Sequence, residues 1–168
     1  MGSWLKVEFH CHTYYSIDSL NKIPQLLQTA RKRGIDRLVI TDHNTIRGAQ
    51  EAQKLDPELV IIGEEIQTKQ GELLAAYVKE EIPSNLPVIE TIRILRDQDA
   101  FISVSHPMDR YRGWSLPDLI DIVQLVDAVE TFNARCIFPY DNTQAERFAL
   151  KYGLDATVGS DAHVLSEV

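Results

Sequence analysis

Long apolar runs, cysteine and positive charge are all scarce in this chain, and each scarcity removes a class of protein. No stretch reaches the ~18 apolar residues a membrane span needs, and no secretory leader pattern is visible. There are two cysteines, Cys11 and Cys136, which do not make a disulfide framework, so a reducing, cytoplasmic setting is expected. Lys and Arg number 17 against 25 Asp and Glu, a formal net charge of −8. That balance argues against a grip on long nucleic acid, which draws heavily on Lys/Arg–phosphate contacts, but it leaves room for a local arginine pocket. A Gly-rich phosphate loop is missing, so ATP or dinucleotide binding has little support. Neither a G-x-S-x-G elbow nor an H-E-x-x-H pair occurs. Ser16 and Ser160 lack a free neighbouring base and are poor nucleophiles.

What is present is an alternation of short apolar runs with helical periodicity over 168 residues, the size of one domain with a real core, spanning 1–168. WLKVEF, DRLVIT, ELVIIG, AFISVS, VDAVETF and LDATVGS read as strands. NKIPQLLQTARKRG, TIRGAQEAQKL, NLPVIETIRILRDQD, SLPDLIDIV and FPYDNTQAERFALKYG (from about Asp141) read as helices. EIQTKQGELLAAYV is predicted to form a hairpin extension around Gly71. About six barrel-type strands with helical crossovers imply an α/β fold with parallel strands, and active residues at the strands' C-terminal ends. A closed eight-stranded barrel takes about 250 residues. A smaller barrel is expected, truncated or incomplete at its C-terminus, since the chain runs only to Val168 after SDAH.

The five histidines, His10, His12, His43, His106 and His163, all fall at or just beyond strand-like runs. His10 and His12 are two apart, so an extended backbone turns both imidazoles to one side and Cys11 to the other, where it packs as a thiol. Asp18 follows in the same motif. In TDHN, His43 is a candidate ligand; Asp42 reads as a helix cap or a ligand, and Asn44 as a turn residue or substrate donor. GEEI holds Glu64 and Glu65, of which one should face a shared site as a carboxylate bridging two ions; parity alone does not select it. SHPMDRYRG brings Asp109, Arg110 and Arg112 behind His106, and the arginines are either phosphate forks or a solvated loop. ETFNAR offers Asn133 and Arg135 for substrate, with Glu130 as a ligand-side group or a structural acceptor. GSDAH closes the set with Asp161 and His163, again two apart.

FHCHTYYSID, TDHN, GEE, SHP, ETFNAR and GSDAH, in this order, resemble the motifs of the polymerase and histidinol phosphatase (PHP) superfamily across nearly the whole chain. The resemblance implies a distorted seven-stranded β/α (TIM-like) barrel and a phosphoesterase centre with two or three divalent ions. Carried over, His10, His12, Asp18, His43, Glu65 (rather than Glu64), His106, Asp161 and His163 match metal ligands. Arg135 matches a phosphate contact, and Asp18, His43 and Arg135 carry the chemistry. Mixed N/O ligands suit Mn²⁺, Fe²⁺ or Zn²⁺, with Mg²⁺ less favoured by imidazole. The implied partner is a small phosphomonoester, nucleotide-like, such as a nucleoside 3′,5′-bisphosphate. Histidinol phosphate, 3′–5′ cleavage of short oligonucleotides, and a non-catalytic metal-binding domain in a larger assembly are the alternatives. One departure stands out: many members carry a histidine in the hairpin after the bridging glutamate, and GELLAAYV has none.

Overall fold

Strand-forming β-branched runs and amphipathic helical segments alternate as their periodicities require. The structure, a computed structural model, describes residues 4–168. In chain order the elements are β1 Val7–Cys11, α1 Ile23–Lys32, β2 Arg37–Ile40, α2 Arg47–Leu55, β3 Val60–Gln67 and β4 Glu72–Ala76. They continue with α3 Val88–Asp97, β5 Phe101–Val104, α4 Leu116–Ile122, β6 Ala128–Asn133, α5 Pro139–Tyr152 and β7 Asp155–Gly159. Prolines open α1, α4 and α5, where a missing N–H costs nothing. Gly153 ends α5 at a φ of 67° and lets Leu154 N–H donate back to the Ala149 carbonyl.

Strands neighbour one another in sequence order, β1 to β7. β1, β2 and β3 run parallel, the β3–β4 hairpin and the β4–β5 pair are antiparallel, and β5, β6 and β7 are again parallel. Beyond β7 the chain returns to β1. Asp161 N–H donates to the His10 carbonyl at 2.8 Å and His12 N–H to the Ala162 carbonyl at 3.0 Å, which makes the barrel nearly closed. The wall therefore has seven strands. The predicted hairpin extension is part of it, because β4 pairs on both sides.

Several boundaries differ from the sequence reading. β1 begins at Val7 rather than Trp4 and includes His10. β3 continues past Gly63 through both glutamates to Gln67, held by the antiparallel partner. α2 begins at Arg47, so Thr45 and Ile46 precede it, and its N-terminus has no side-chain cap.

The apolar core lies between the wall and the helices. Leu26, Ala30, Leu38, Ile40, Ala49, Ala52 and Cys11 pack one half. Ile66, Leu73, Ile92, Leu95, Ile102, Leu119, Val129 and Phe148 belong to the other. Fully burying each Leu or Ile side chain contributes about 1.5–3 kcal/mol. Period-2 alternation then leaves the opposite faces of the strands to the barrel interior, which is polar. Ser103 and Thr157 join hydroxyls across it at 2.8 Å. The same alternation turns Glu65, Gln67 and Glu72 inward, since Gln67 pairs with Glu72, while Ile66 and Leu73 face the core.

Candidate metal centre

Four donor atoms converge at the C-terminal end of β1. His10 Nε2 and His12 Nε2 lie 3.0 Å apart. Glu65 Oε2 is 3.2 Å from the first and 3.3 Å from the second, and Asp161 Oδ1 is 3.5 and 3.3 Å from them. Donor atoms bound at about 2.1 Å to one ion sit about 3.0 Å apart on an octahedron and about 3.4 Å apart on a tetrahedron. The observed spacings have that size, and all four side chains are almost fully buried.

Each imidazole is held by its other nitrogen. Glu130 Oε1 accepts from His10 Nδ1 at 2.9 Å, leaving the Nε2 lone pair toward the cluster. His12 Nδ1 lies 3.1 Å from Ser16 Oγ, and Ser16 in turn donates to Asp42 Oδ1 at 2.7 Å. Asp42 also accepts from the Thr13 N–H and hydroxyl, both at 2.7 Å. Asp42 is thus neither helix cap nor ligand; it is the buried anchor of the loop after β1. Asp161, at a φ of 54° that aspartate tolerates, gives Oδ2 to Arg112 Nη1 at 2.7 Å and keeps Oδ1 for the cluster.

Glu65 extends the site. Its Oε1 lies 3.3 Å from His106 Nε2 and accepts from Ser105 Oγ at 2.7 Å, while its Oε2 is 3.0 Å from His43 Nδ1. The opposite parity sends Glu64 into the helix-side core, where Ile82 N–H donates to Oε2 and burial pushes its pKa up to about 8. A third grouping sits nearer the mouth: Asp18, half exposed, lies 3.6 Å from His43 Nε2 and 3.2 Å from His163 Nε2. Among the described residues, His12–His43–His163, His10–His12–Asp161 and His43–Glu65–Glu72 are clusters able to hold a metal ion.

The electrostatics favour bound cations. Burial opposes charge on His10, yet the Glu65, Asp161 and Glu130 carboxylates hold its pKa well above the ordinary range. His43 and His106 are likewise lifted to about 9 against burial, chiefly by Glu65. Burial works against ionised Glu65 and Asp161 too, but the surrounding imidazoles keep both carboxyls low. His163 is lowered, by burial and by its neighbour His12. The buried His106 Nδ1 has no hydrogen-bond partner.

All eight ligand positions read from the sequence therefore meet at one end of the barrel. The substrate positions divide. Arg112 and Arg135 line a cavity of about 720 Å³ over the centre, with Asp18, His43 and His163. Arg110 instead lies 4.2 Å over the Phe138 ring, in a separate groove with Met108 and Tyr140. Asn133 donates to Glu130 Oε2 and Asp161 Oδ2 and accepts from Arg135 N–H, so it orients acids and is not placed as a substrate donor. Asn44, at a φ of 52°, accepts from Gln67 N–H and serves its turn.

Sequence reasoning missed Glu72 and the orienting role of Ser16; for Glu130 it offered a structural acceptor as one of two readings, and the structure gives it that part, with His10 as its partner. The hairpin without a histidine still brings a donor: Glu72 Oε2 lies 3.3 Å from His106 Nε2. Glu130 joins two strands' ligands, taking His10 on Oε1 and the His106 N–H, at 2.8 Å, on Oε2. Glu130→Gln is expected to weaken ion binding about 10–100-fold, the usual loss for an orienting partner. Chelator-competition titration of the folded variant checks this, and an unchanged affinity would remove Glu130 from the role.

Comparison with known proteins bears on the family and the fold. The PHP domain family pattern matches residues 8–159. An uncharacterised protein of Methanocaldococcus jannaschii is 38% identical over 143 residues, covering 77% of this chain and 82% of its own length. Among solved structures, a candidate metal-dependent phosphoesterase from Bifidobacterium adolescentis superposes with a TM-score of 0.79 at 17% identity, over 97% of this chain and 89% of that one. A lesion-specific endonuclease from Pyrococcus furiosus gives 0.69 at 16% identity, over 96% of this chain and 49% of that one. At these identities the structural likenesses speak for the fold. The motif order, the seven-stranded wall and the sequence match over nearly the whole length together place this chain in the PHP domain family.

Proposed function

We propose that the protein is a metal-dependent phosphoesterase acting on a small, nucleotide-like phosphomonoester. The observation that carries the reading is the convergence of imidazole and carboxylate donors, at coordination spacings, beneath a cavity lined by two arginines. His10, His12, Asp161 and Glu65 would hold one ion, and Glu65 with His106 a second. Asp18, His43 and His163 are grouped for a third. Mn²⁺, Fe²⁺ and Zn²⁺ suit these mixed donors. Bound ions would supply a nucleophile at neutral pH and positive charge against the phosphoryl oxygens.

The protein's own groups do the rest. Arg135 is exposed at the cavity wall, and its planar guanidinium matches phosphate oxygens. Arg112 is committed to Asp161 and Asp109 and fixes the acid rather than the substrate. Asp18 and His43, at the mouth, are the groups nearest an incoming ester. Tyr111 and Ile137, 73% and 71% exposed, border the same cavity and present an apolar surface to the organic part of the substrate, which suits a flat nucleobase.

The test is a phosphoester panel with added Mn²⁺, containing nucleoside 3′,5′-bisphosphates, histidinol phosphate and short single-stranded oligonucleotides. Phosphate release from bisphosphonucleotides is expected. Arg135→Gln should raise KM about tenfold or more with a smaller effect on kcat, because a charged hydrogen bond is worth about 1.5–3 kcal/mol. Inertness of the ion-loaded protein toward every ester would overturn the reading. Release from histidinol phosphate alone would replace the substrate class.

A further inference from the structure

We propose that Glu72 is itself an ion ligand, so that the centre has two unequal positions: a nitrogen-rich one at His10–His12 and an oxygen-led one at Glu65–Glu72–His106 that selects a harder divalent cation. This rests on the metal-dependent reading above and specifies its second position.

Three observations place Glu72 there. The hairpin register pairs Gln67 with Glu72 and Glu65 with Leu74, so Glu72 shares the inward face of Glu65 although it comes seven positions later in the chain. Leu74, directly across from Glu65, has no donor, and the hairpin's donor therefore stands two residues nearer the rim. Second, the turn is held by hydrogen bonds and close packing. Thr68 N–H and hydroxyl both donate to the Gly71 carbonyl, and the Trp114 ring packs so closely on Gly71 that a side chain there would meet its Nε1 at 2.6 Å. Third, the carboxylate points at the centre: Oε2 lies 3.3 Å from His106 Nε2, the same distance at which Glu65 Oε1 meets that nitrogen. Together with His43, Glu65 and Glu72 bring ligand atoms within 4.8 Å of one another.

The donor set has a chemical consequence. The first position offers two imidazole nitrogens and two carboxylates. The second offers the His106 imidazole with the Glu65 Oε1 and Glu72 Oε2 carboxylate oxygens, while His43 stands on the other oxygen of Glu65. Carboxylate oxygen suits Mn²⁺ and Mg²⁺, whereas imidazole suits Zn²⁺ and Fe²⁺. The expected preference is Mn²⁺ at the second position, with the first position indifferent to changes at residue 72.

Equilibrium dialysis with elemental analysis, using Mn²⁺ or Zn²⁺ alone, reads this without any activity assay. Wild type, E72Q and E72H are compared, with circular dichroism to confirm folding. E72Q is expected to lose one Mn²⁺ equivalent, or bind it at least about 10-fold more weakly, while keeping the first. E72H should recover the stoichiometry with Zn²⁺ favoured over Mn²⁺, and serves as the decisive variant if E72Q does not fold. E72Q binding Mn²⁺ with wild-type number and affinity would overturn the proposal and leave the phosphoesterase reading standing. A wild-type protein that takes up no ion overturns both.

Discussion

Glu65→Gln is expected to abolish ion binding at physiological concentrations and to lower the proposed phosphoesterase activity by more than about 100-fold, beyond the 10–100-fold loss typical of an orienting partner. Among the described residues, no other side chain serves so many ligands. Its two oxygens face His10, His12 and His43 on one side and His106 on the other, all within 3.3 Å. The amide keeps the volume but removes the charge and turns one acceptor into a donor aimed at imidazole nitrogens. A second effect separates loss of charge from misfolding. Glu65 is the leading acidic influence that raises His43 and His106, so in the folded, metal-free variant both imidazoles should titrate closer to 6.5. Elemental analysis and NMR titration of the histidines test the two parts. Normal ion content in Glu65→Gln would refute the bridging role. Ion loss with unchanged histidine titration would refute the electrostatic account.

Chelation is the second large effect. Metal-free protein is expected to be inactive, to recover with added Mn²⁺, and to respond to pH in the opposite sense from loaded protein. In the metal-free state His43 and His106 have folded pKa values of about 9, above the ordinary 6.5. A raised histidine pKa contributes stability fully present below about 6.5 and lost as pH rises through about 9. Each pKa unit corresponds to about 1.36 kcal/mol, so either imidazole taken alone is worth at most about 3 kcal/mol. The two share Glu65 and do not add. Ion binding must displace these protons, so its affinity should climb over the same window. The gap between loaded and metal-free melting temperatures is therefore expected to widen from pH 6.5 to 9. Calorimetric titration at pH 7 in two buffers of different ionisation enthalpy should show proton release. Equal heats in the two buffers, or a gap that narrows with pH, would contradict this account.

Much of this site was legible because it is local. The inward pairing of His10 with His12, and of Cys11 with the core, follows from the two-residue period of an extended strand. The placement of His43, His106 and His163 at the barrel rim follows from strand–helix alternation, which puts chain ends of parallel strands on one side. Recognition of PHP motifs then selected Glu65, which parity by itself left level with Glu64. Less local features were not legible. Asp42 reads as a cap in TDHN, yet its carboxylate is taken by Thr13 and Ser16, 29 and 26 residues away. Glu130 reaches His10 across 120 residues of chain. Arg110 and Arg112 look alike in SHPMDRYRG, but one lies on Phe138 and the other grips Asp161.

The sequence by itself determined the class of fold, the ligand types and the end of the barrel where they gather, because periodicity and residue chemistry are properties of short segments. Only the tertiary structure decided which acids beyond Asp18, Glu65 and Asp161 serve the centre. That choice depends on strand register and on closure of the barrel, which bring Glu72 and Glu130 to the histidines through contacts no local pattern encodes.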